Sequence, residues 1–312
     1  MQFRPTRFSG AARSRVTASS TPVRPVVGSP IRGIAYMVAA LFLLTVGDAL
    51  TKWVGSSLPV GQVIFFRALF IFIPTMAIVF TSGGLATLKV TDRRGVGTRA
   101  VLYCCTTALI TTSMILLPLA DASALLFAGP LFVTALATPM LGEYVGWRRW
   151  TAVLVGFVGV IIMLRPTPDA IQVLAVVPIV AALFSAFRDI TTRRISATES
   201  SNAIMFWSNV VLLAAAALTA PFGWEPMRFA DLAQLALLGI IVGVAHWVMI
   251  EAYRFGEAAV VSPFKYTAIV WATLLGYFVW GTVPDAFIIS GGALVIASGL
   301  YILHRETRRK AG

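Results

Sequence analysis

Residues 36–53 read YMVAALFLLTVGDALTKW, and residues 178–195 read PIVAALFSAFRDITTRRI. Each carries the same pentapeptide, at Val38–Phe42 and at Val180–Phe184, and each closes on an acid, a threonine and a cation. Asp48, Thr51 and Lys52 of the first stand 141 positions before Asp189, Thr192 and Arg193 of the second. Ahead of the acid the first run is apolar without the alternation of a barrel strand. In a bilayer it therefore reads as a helix, which satisfies its own backbone hydrogen bonds. Further on, Val63–Phe66 (VIFF) matches Ala203–Phe206 (AIMF) at a spacing of 140, and Leu119–Ala122 (LADA) is similar to Phe255–Ala258 (FGEA). One match of five apolar letters carries little weight, but several at nearly constant spacing predict a duplicated unit.

The whole chain agrees with that opening. Its 312 residues are 58% hydrophobic and 12% charged, with mean hydropathy +0.85. A soluble domain carries about 25% charged residues, so the composition argues strongly against a water-soluble enzyme. A span needs about 20 apolar residues. Ten such stretches are expected, at 33–53, 61–80, 99–117, 121–141, 147–165, 171–191, 203–220, 231–252, 258–280 and 285–304. The net charge of +12 would suit a nucleic-acid binder. In so apolar a chain it reads instead as the cationic bias of cytoplasmic loops, and no nucleic acid is expected. With the N-terminus inside, 20 of the 25 cations fall in cytoplasmic segments. Only Arg165 and Arg228 fall outside, and Lys52, Arg67 and Lys265 lie within spans.

The expected fold is an all-α polytopic membrane protein of ten transmembrane helices, with both termini cytoplasmic. Five helices per unit is an odd number, so the second unit enters the membrane from the opposite face. Inverted repeats of this kind recur in transporters. The units are expected at 33–166 and 167–305. They are flanked by a disordered basic tail at 1–32, for which an organellar transit peptide is the alternative reading, and by a basic tail at 306–312. The adjacent Cys104 and Cys105 suit neither a disulfide framework nor a metal cluster, so no metal or cofactor is expected.

Each ionisable group within a span costs about 2.5–3.5 kcal/mol and needs a reason. Lys265 lies roughly 12 Å into the ninth stretch at 1.5 Å per residue. It reads as a cavity cation for a carboxylate or phosphate; the alternative is an internal ion pair or a snorkelling side chain. His246 is a candidate for substrate binding or proton transfer, or else for a bond to a neighbouring helix. Asp48 and Lys52 share a helix face and, with Arg67, are expected to form an outer charged gate or a static network. Arg188 and Asp189 are the matching inner pair, against a plain positive-inside cluster. Tyr103, Phe127, Phe184, Trp247, Tyr266 and Trp271 are candidates to enclose a planar substrate, although packing accounts for any one of them.

The order and spacing of several motifs identify a family. They are Gly47–Trp53 (GDALTKW), Pro59–Arg67 (PVGQVIFFR) and Pro118–Ala122 (PLADA). Then come Pro130–Phe132 (PLF), Leu141–Glu143 (LGE), Trp147–Arg149 (WRR), Gly156–Gly159 (GFVG) and Leu164–Pro166 (LRP). Over about 33–305 the chain resembles the drug/metabolite transporter superfamily, specifically its ten-helix EamA-type carriers. The second half departs from the first, with Trp280–Asp285 (WGTVPD) where the first has LGE. The resemblance implies a secondary transporter of small organic metabolites (amino acids, vitamin-like or aromatic compounds) in the bacterial inner membrane. It works by alternating access around a central cavity. Uptake of riboflavin or S-adenosylmethionine is the specific alternative. The expected partners are the small-molecule substrate, the lipid bilayer and protons as a candidate coupling ion, in a monomer or homodimer. An intramembrane enzyme is disfavoured because no nucleophile or metal constellation such as HExxH occurs, and no catalytic residue is assigned.

Overall fold

The computed structural model describes residues 30–141, 146–164, 170–195, 198–255 and 262–311. Readings that involve the tail up to residue 29, Glu143, Arg165, the junction at 166–167 or Gly256–Glu257 lie outside the described residues. Every regular element among the described residues is a helix. Helix α1 (Pro30–Val54) and α2 (Val60–Thr81) are followed by a 3-10 turn at Gly84–Leu88 and by α3 (Arg93–Leu116). Then come α4 (Leu119–Leu126), α5 (Gly129–Leu141) and α6 (Trp147–Leu164). The second half supplies α7 (Ala170–Ile195), α8 (Ser201–Ala217) and α9 (Phe229–Phe255). A 3-10 turn at Ser262–Tyr266 leads into α10 (Thr267–Trp280), and α11 (Ala286–Ala311) closes the chain. Helix α11 thus runs through the segment read as a C-terminal tail from residue 306.

Among the described residues six stretches are long and apolar enough to cross a bilayer: Ile31–Val54, Val60–Thr81, Arg93–Leu116, Leu119–Leu136, Leu174–Thr192 and Phe229–Met249. Shorter apolar helices run over Trp150–Leu164, Ser201–Ala217 and Ala286–Ile302. Large apolar side chains such as Phe80, Val101, Leu154, Ile161 and Phe278 are exposed, as a lipid-facing surface requires. The buried hydroxyls of Thr45, Thr75 and Ser208 return their protons to their own helices, at Leu41 O, Ile71 O and Ile204 O, so these three need no water.

The α4–α5 break has a local cause. Pro130 has no N–H to donate to the carbonyl of Leu126, and the chain steps through Phe127 and Ala128 before α5 resumes. Leu125 and Leu131, on either side of the step, are both buried in a core with Val153, Val160, Ala182 and Val295. A second core joins α1, α2 and α9 through Val54, Val63, Ile71, Leu235 and Val242.

Helix α1 packs mainly on α9 and α10, α3 on α7 and α8, α2 on α8 and α9, and α6 on α11. The α6–α11 crossing is a contact of backbones. A Cβ on Gly159 would lie 2.6 Å from the carbonyl oxygen of Gly291, and one on Gly291 would lie 2.5 Å from that of Gly159. Gly159 and Gly291, which have no side chains, permit this approach.

Side chains tie the connectors down at both ends. At one end Gln62 donates to Glu225 O at 2.9 Å and accepts from Glu225 N–H at 3.0 Å. At the other, Glu199 accepts from the backbone N–H groups of Thr91 and Asp92 at 2.9 and 2.6 Å. There Asn202 also donates to Thr87 Oγ1 at 3.2 Å, and the Trp207 indole to Leu88 O at 3.0 Å.

Candidate functional site

A cavity of about 390 Å³ opens between α2, α3, α7, α8 and α9. Asp92 caps α3, its Oδ1 accepting from Gly95 N–H at 2.9 Å, and the helix then carries Arg99 onto the cavity wall. The half-buried guanidinium is held entirely by neutral groups. It donates to Thr192 Oγ1 at 3.2 Å, to Ile204 O at 3.4 Å and to Ser208 Oγ, and it lies 5.3 Å from the ring centre of Tyr103. No carboxylate pairs with Arg99 among the described residues, whereas Arg188 is paired with Asp189 at 2.8 Å. A partly buried cation without a counter-ion is costly in a bilayer, and an anionic ligand would supply the missing charge.

Two acceptors share the cavity with Arg99. His246 Nδ1–H donates to Val242 O at 2.7 Å, which fixes that nitrogen as the donor and leaves Nε2 as the acceptor. Asn209 is 3% exposed; its Nδ2 donates to Ala68 O at 3.0 Å, while its buried Oδ1 has no partner. Arg67 lies one turn from Ile71 on α2, and its buried Nε has no hydrogen-bond partner among the described residues. Ile71, Ile204, Met205 and Met249 make the apolar wall.

A second cavity, of about 370 Å³, lies at the α4–α5 break. It is lined by Phe127, Gly129, Pro130, Ser185, Asp189, Lys265 and Tyr266. The Phe127 and Tyr266 rings meet at 5.1 Å. Helix α7 separates the two cavities: Ser185 and Asp189 face this one, and Thr192 faces the other.

The structure thus divides the residues singled out in the sequence. Lys265, Tyr266, Phe127 and Asp189 come together in the second cavity, and His246 and Tyr103 in the first. Phe184 is half-buried and lines neither of them. Trp247 is 43% exposed on the surface of α9. Trp271 packs edge-on against Phe42 at 5.2 Å.

Lys52 and Asp48 share α1 without pairing. Lys52 Nζ reaches the C-terminal end of α3, donating to Leu117 O at 2.6 Å, Met114 O at 3.4 Å and Ile115 O at 3.5 Å. It also lies 5.8 Å from the ring centre of Trp280. It therefore acts as a helix C-cap contributed by a neighbouring helix.

Arg99 and Asn209 are the residues that sequence reasoning missed. By sequence Arg99 falls at the cytoplasmic edge of the third stretch, 99–117, where it reads as a loop cation. The available signal was its i,i+4 spacing to Tyr103, which places both on one helical face. No group of three or more His, Cys, Asp or Glu capable of holding a metal ion occurs among the described residues.

An apolar helical bundle whose largely apolar cavities carry a few charged groups fits a membrane transporter, and comparison with known proteins specifies which. The EamA-like transporter family matches residues 31–165 and again 172–304, and the chain belongs to that family. It is 28% identical over 279 residues to an S-adenosylmethionine uptake transporter of Rickettsia prowazekii, covering 89% of this chain and 94% of that one. A riboflavin transporter of Rhizobium johnstonii is 28% identical over 292 residues, covering 93% and 95%. The pseudopaline exporter CntI of Pseudomonas aeruginosa is 28% identical over 278 residues, covering 85% and 94%. One solved crystal structure superposes with a TM-score of 0.61 at 18% identity, over 91% of this chain and all of that one, a likeness of fold.

Proposed function

We propose that the protein is a secondary carrier of ten membrane helices in two inverted five-helix units, 33–166 and 167–305. Both termini are cytoplasmic, and it moves small organic metabolites across the bacterial inner membrane by alternating access. The observation that carries this reading is the uncompensated Arg99 in a cavity lined by both halves of the chain.

The packing supports the inverted repeat. Exchanging the halves turns the α1–α9 contact into α7–α3, and α2–α9 into α8–α3; both members of each pair are present. The α2–α8 and α6–α11 contacts map onto themselves. The bond from Gln62 at the start of α2 to the connector before α9 has its counterpart in the bond from Asn202 at the start of α8 to the connector before α3. Asn209 and Ala68, hydrogen-bonded across α2 and α8, are 141 positions apart, the spacing of the repeat itself.

Arg99, Thr192 and Ser201 of the first cavity and Asp189 of the second lie in the half that contains the start of α3, where Lys89, Arg93, Arg94, Arg188 and Arg194 also lie. On the positive-inside bias we read that half as cytoplasmic and the conformation as inward-facing. Lys52 then closes the outer end by tying α1 to α3 beneath Trp280. Lys52→Gln is expected to loosen that closure. A charge-assisted hydrogen bond contributes about 1.5–3 kcal/mol. Outer-end opening should therefore rise about tenfold or more, at 1.4 kcal/mol per tenfold. The readout is labelling of Ala49→Cys by a membrane-impermeant maleimide in a background lacking Cys104 and Cys105. An unchanged labelling rate counts against the closure.

The carrier reading is tested in proteoliposomes with labelled amino acids, riboflavin and S-adenosylmethionine, with and without a proton gradient. Saturable flux above empty liposomes is expected for at least one of them. The second cavity supports another placement of the substrate, since Lys265 and Asp189 offer opposite charges beside Phe127 and Tyr266. If the substrate sits there, Lys265→Ala abolishes flux and Arg99→Gln spares it; if it sits in the first cavity, the order reverses.

A further inference from the structure

The two ends of the bundle are closed unequally, and the inequality lies in particular helix pairs. On the inverted-repeat reading above, α1 and α7 are counterparts, as are α2 and α8, α3 and α9, and α5 and α10. Most packing occurs in both halves, as with α1–α10 and α7–α5. Two contacts occur in one half only. Among the described residues α1 and α2 both pack on α3, whereas neither α7 nor α8 packs comparably on α9. The Arg99 cavity is the gap that results. Thr192 of α7 and Asn209 of α8 line it from one side, and His246 and Met249 of α9 from the other.

The closed pair shows what seals such a gap. Lys52 Nζ donates to Leu117 O at 2.6 Å, at the carbonyl end of α3. A Cβ on Gly55 would lie 2.3 Å from the Ile115 side chain, so α1 and α3 meet closely there. The spacing of 141 that carries Asp48 onto Asp189 carries Lys52 onto Arg193. It holds on both sides of that pair. Thr51 Oγ1 donates to Gly47 O at 2.9 Å, and Thr192 Oγ1 to Arg188 O at 2.7 Å. Trp53 meets Trp280 at the end of α10, with ring centres 6.4 Å apart, and Arg194 donates to Met140 O at the end of α5. Residues 51 and 53 thus have counterparts in like places, and residue 52 belongs to the contact made at one end only.

We infer that Arg193 is the cytoplasmic counterpart of Lys52: when the carrier faces outward, α7 and α9 close and the Arg193 guanidinium caps the last turn of α9, which ends at Phe255. The inference rests on the carrier reading above and names a residue that positions its second state. A helix leaves its last carbonyls without intrahelical donors, so a cation from a neighbouring helix suits that place in either half. Each cap holds one end shut, and the chain alternates by exchanging one for the other.

The test uses the full chain in right-side-out membrane vesicles, lacking Cys104 and Cys105 and carrying Ala49→Cys as the outer-end reporter. Labelling by a membrane-impermeant maleimide is normalised to folded protein. Arg193→Gln removes the inner cap and should lower labelling about tenfold, the effect of one charge-assisted hydrogen bond. Lys52→Gln should raise it, and the double variant should return it towards wild type, because distant sites add. Arg193→Lys keeps a donor of the kind Lys52 supplies and should label like wild type. Arg194→Gln removes an adjacent cation that serves α5 and should leave labelling unchanged. Unchanged labelling in Arg193→Gln, with Lys52→Gln raised, overturns the inference and leaves the carrier reading intact. Equal losses in Arg193→Gln and Arg194→Gln overturn it too, because the effect is then one of charge alone. No change in either Lys52→Gln or Arg193→Gln counts against alternation itself and removes the inference with it. If Arg193→Gln fails to fold, Arg193→Met keeps the unbranched stem and is read in the same way.

Discussion

Arg99→Gln is expected to lower kcat/KM for uptake about 10–100-fold while leaving the protein folded and inserted. A hydrogen bond to a charged group contributes about 1.5–3 kcal/mol, and each 1.4 kcal/mol is a factor of ten. Glutamine keeps a donor near Thr192 and Ser208, so the walls of the cavity retain a polar partner where the guanidinium stood. What is lost is the positive charge and the planar fork. Arg99→Lys restores the charge without the fork and should recover only part of the loss, because a point charge does not reproduce two parallel N–H donors. Initial uptake rates over a range of substrate concentrations give the ratio, and thermal unfolding in detergent reports the fold. Wild-type kcat/KM in a well-folded Arg99→Gln protein would take Arg99 out of the site.

The second large effect is expected at the α6–α11 crossing. Gly159→Leu or Gly291→Leu places a side chain where the partner's carbonyl oxygen lies 2.5–2.6 Å from the new Cβ. A backbone carbonyl cannot rotate aside, so the helices must separate, and overpacking of this kind costs about 1–3 kcal/mol. Separation also disturbs Val160, Met163 and Val295, which are buried beside the crossing. Each variant should show a clearly lower Tm and a reduced yield of folded protein. The double variant should lose less than the sum, because both substitutions break one contact. Gly156 offers a graded comparison. Its would-be Cβ meets only the Leu131 side chain, which has other rotamers, so Gly156→Ala should cost less. At Gly97, which has open space around it, alanine should be neutral or slightly stabilising. Equal Tm for Gly159→Leu and wild type would show that the crossing tolerates separation.

The two predictions differ in how far the sequence alone could have reached them. Gly159 and Gly291 are small residues in apolar stretches, a composition that allows close helix approach. That they face one another depends on the α6–α11 contact. Lys52 shows the limit of local spacing. Its i,i+4 relation to Asp48 suggested a pair, yet the lysine is long enough to reach the unsatisfied carbonyls at the end of α3, which no spacing within α1 could reveal. The aromatics divided in the same way. Tyr266 and Phe127 meet across 139 positions at the second cavity, whereas Trp247 lies on the exposed side of its helix, one residue along from His246.

By itself the sequence determined that the chain is a helical membrane protein, that its halves are related, and that it resembles the EamA-type carriers. Those properties are written in hydropathy, in the spacing of Asp48 and Asp189 and in ordered motifs, all of which act within one helix or one turn. Only the tertiary structure decided which polar groups meet. Arg99 lost its identity as a loop cation because α3 begins at Arg93 and carries it onto a wall shared with Thr192, Ser208, Asn209 and His246. Those four side chains come from helices 93 or more positions away, and their convergence depends on how the helices cross.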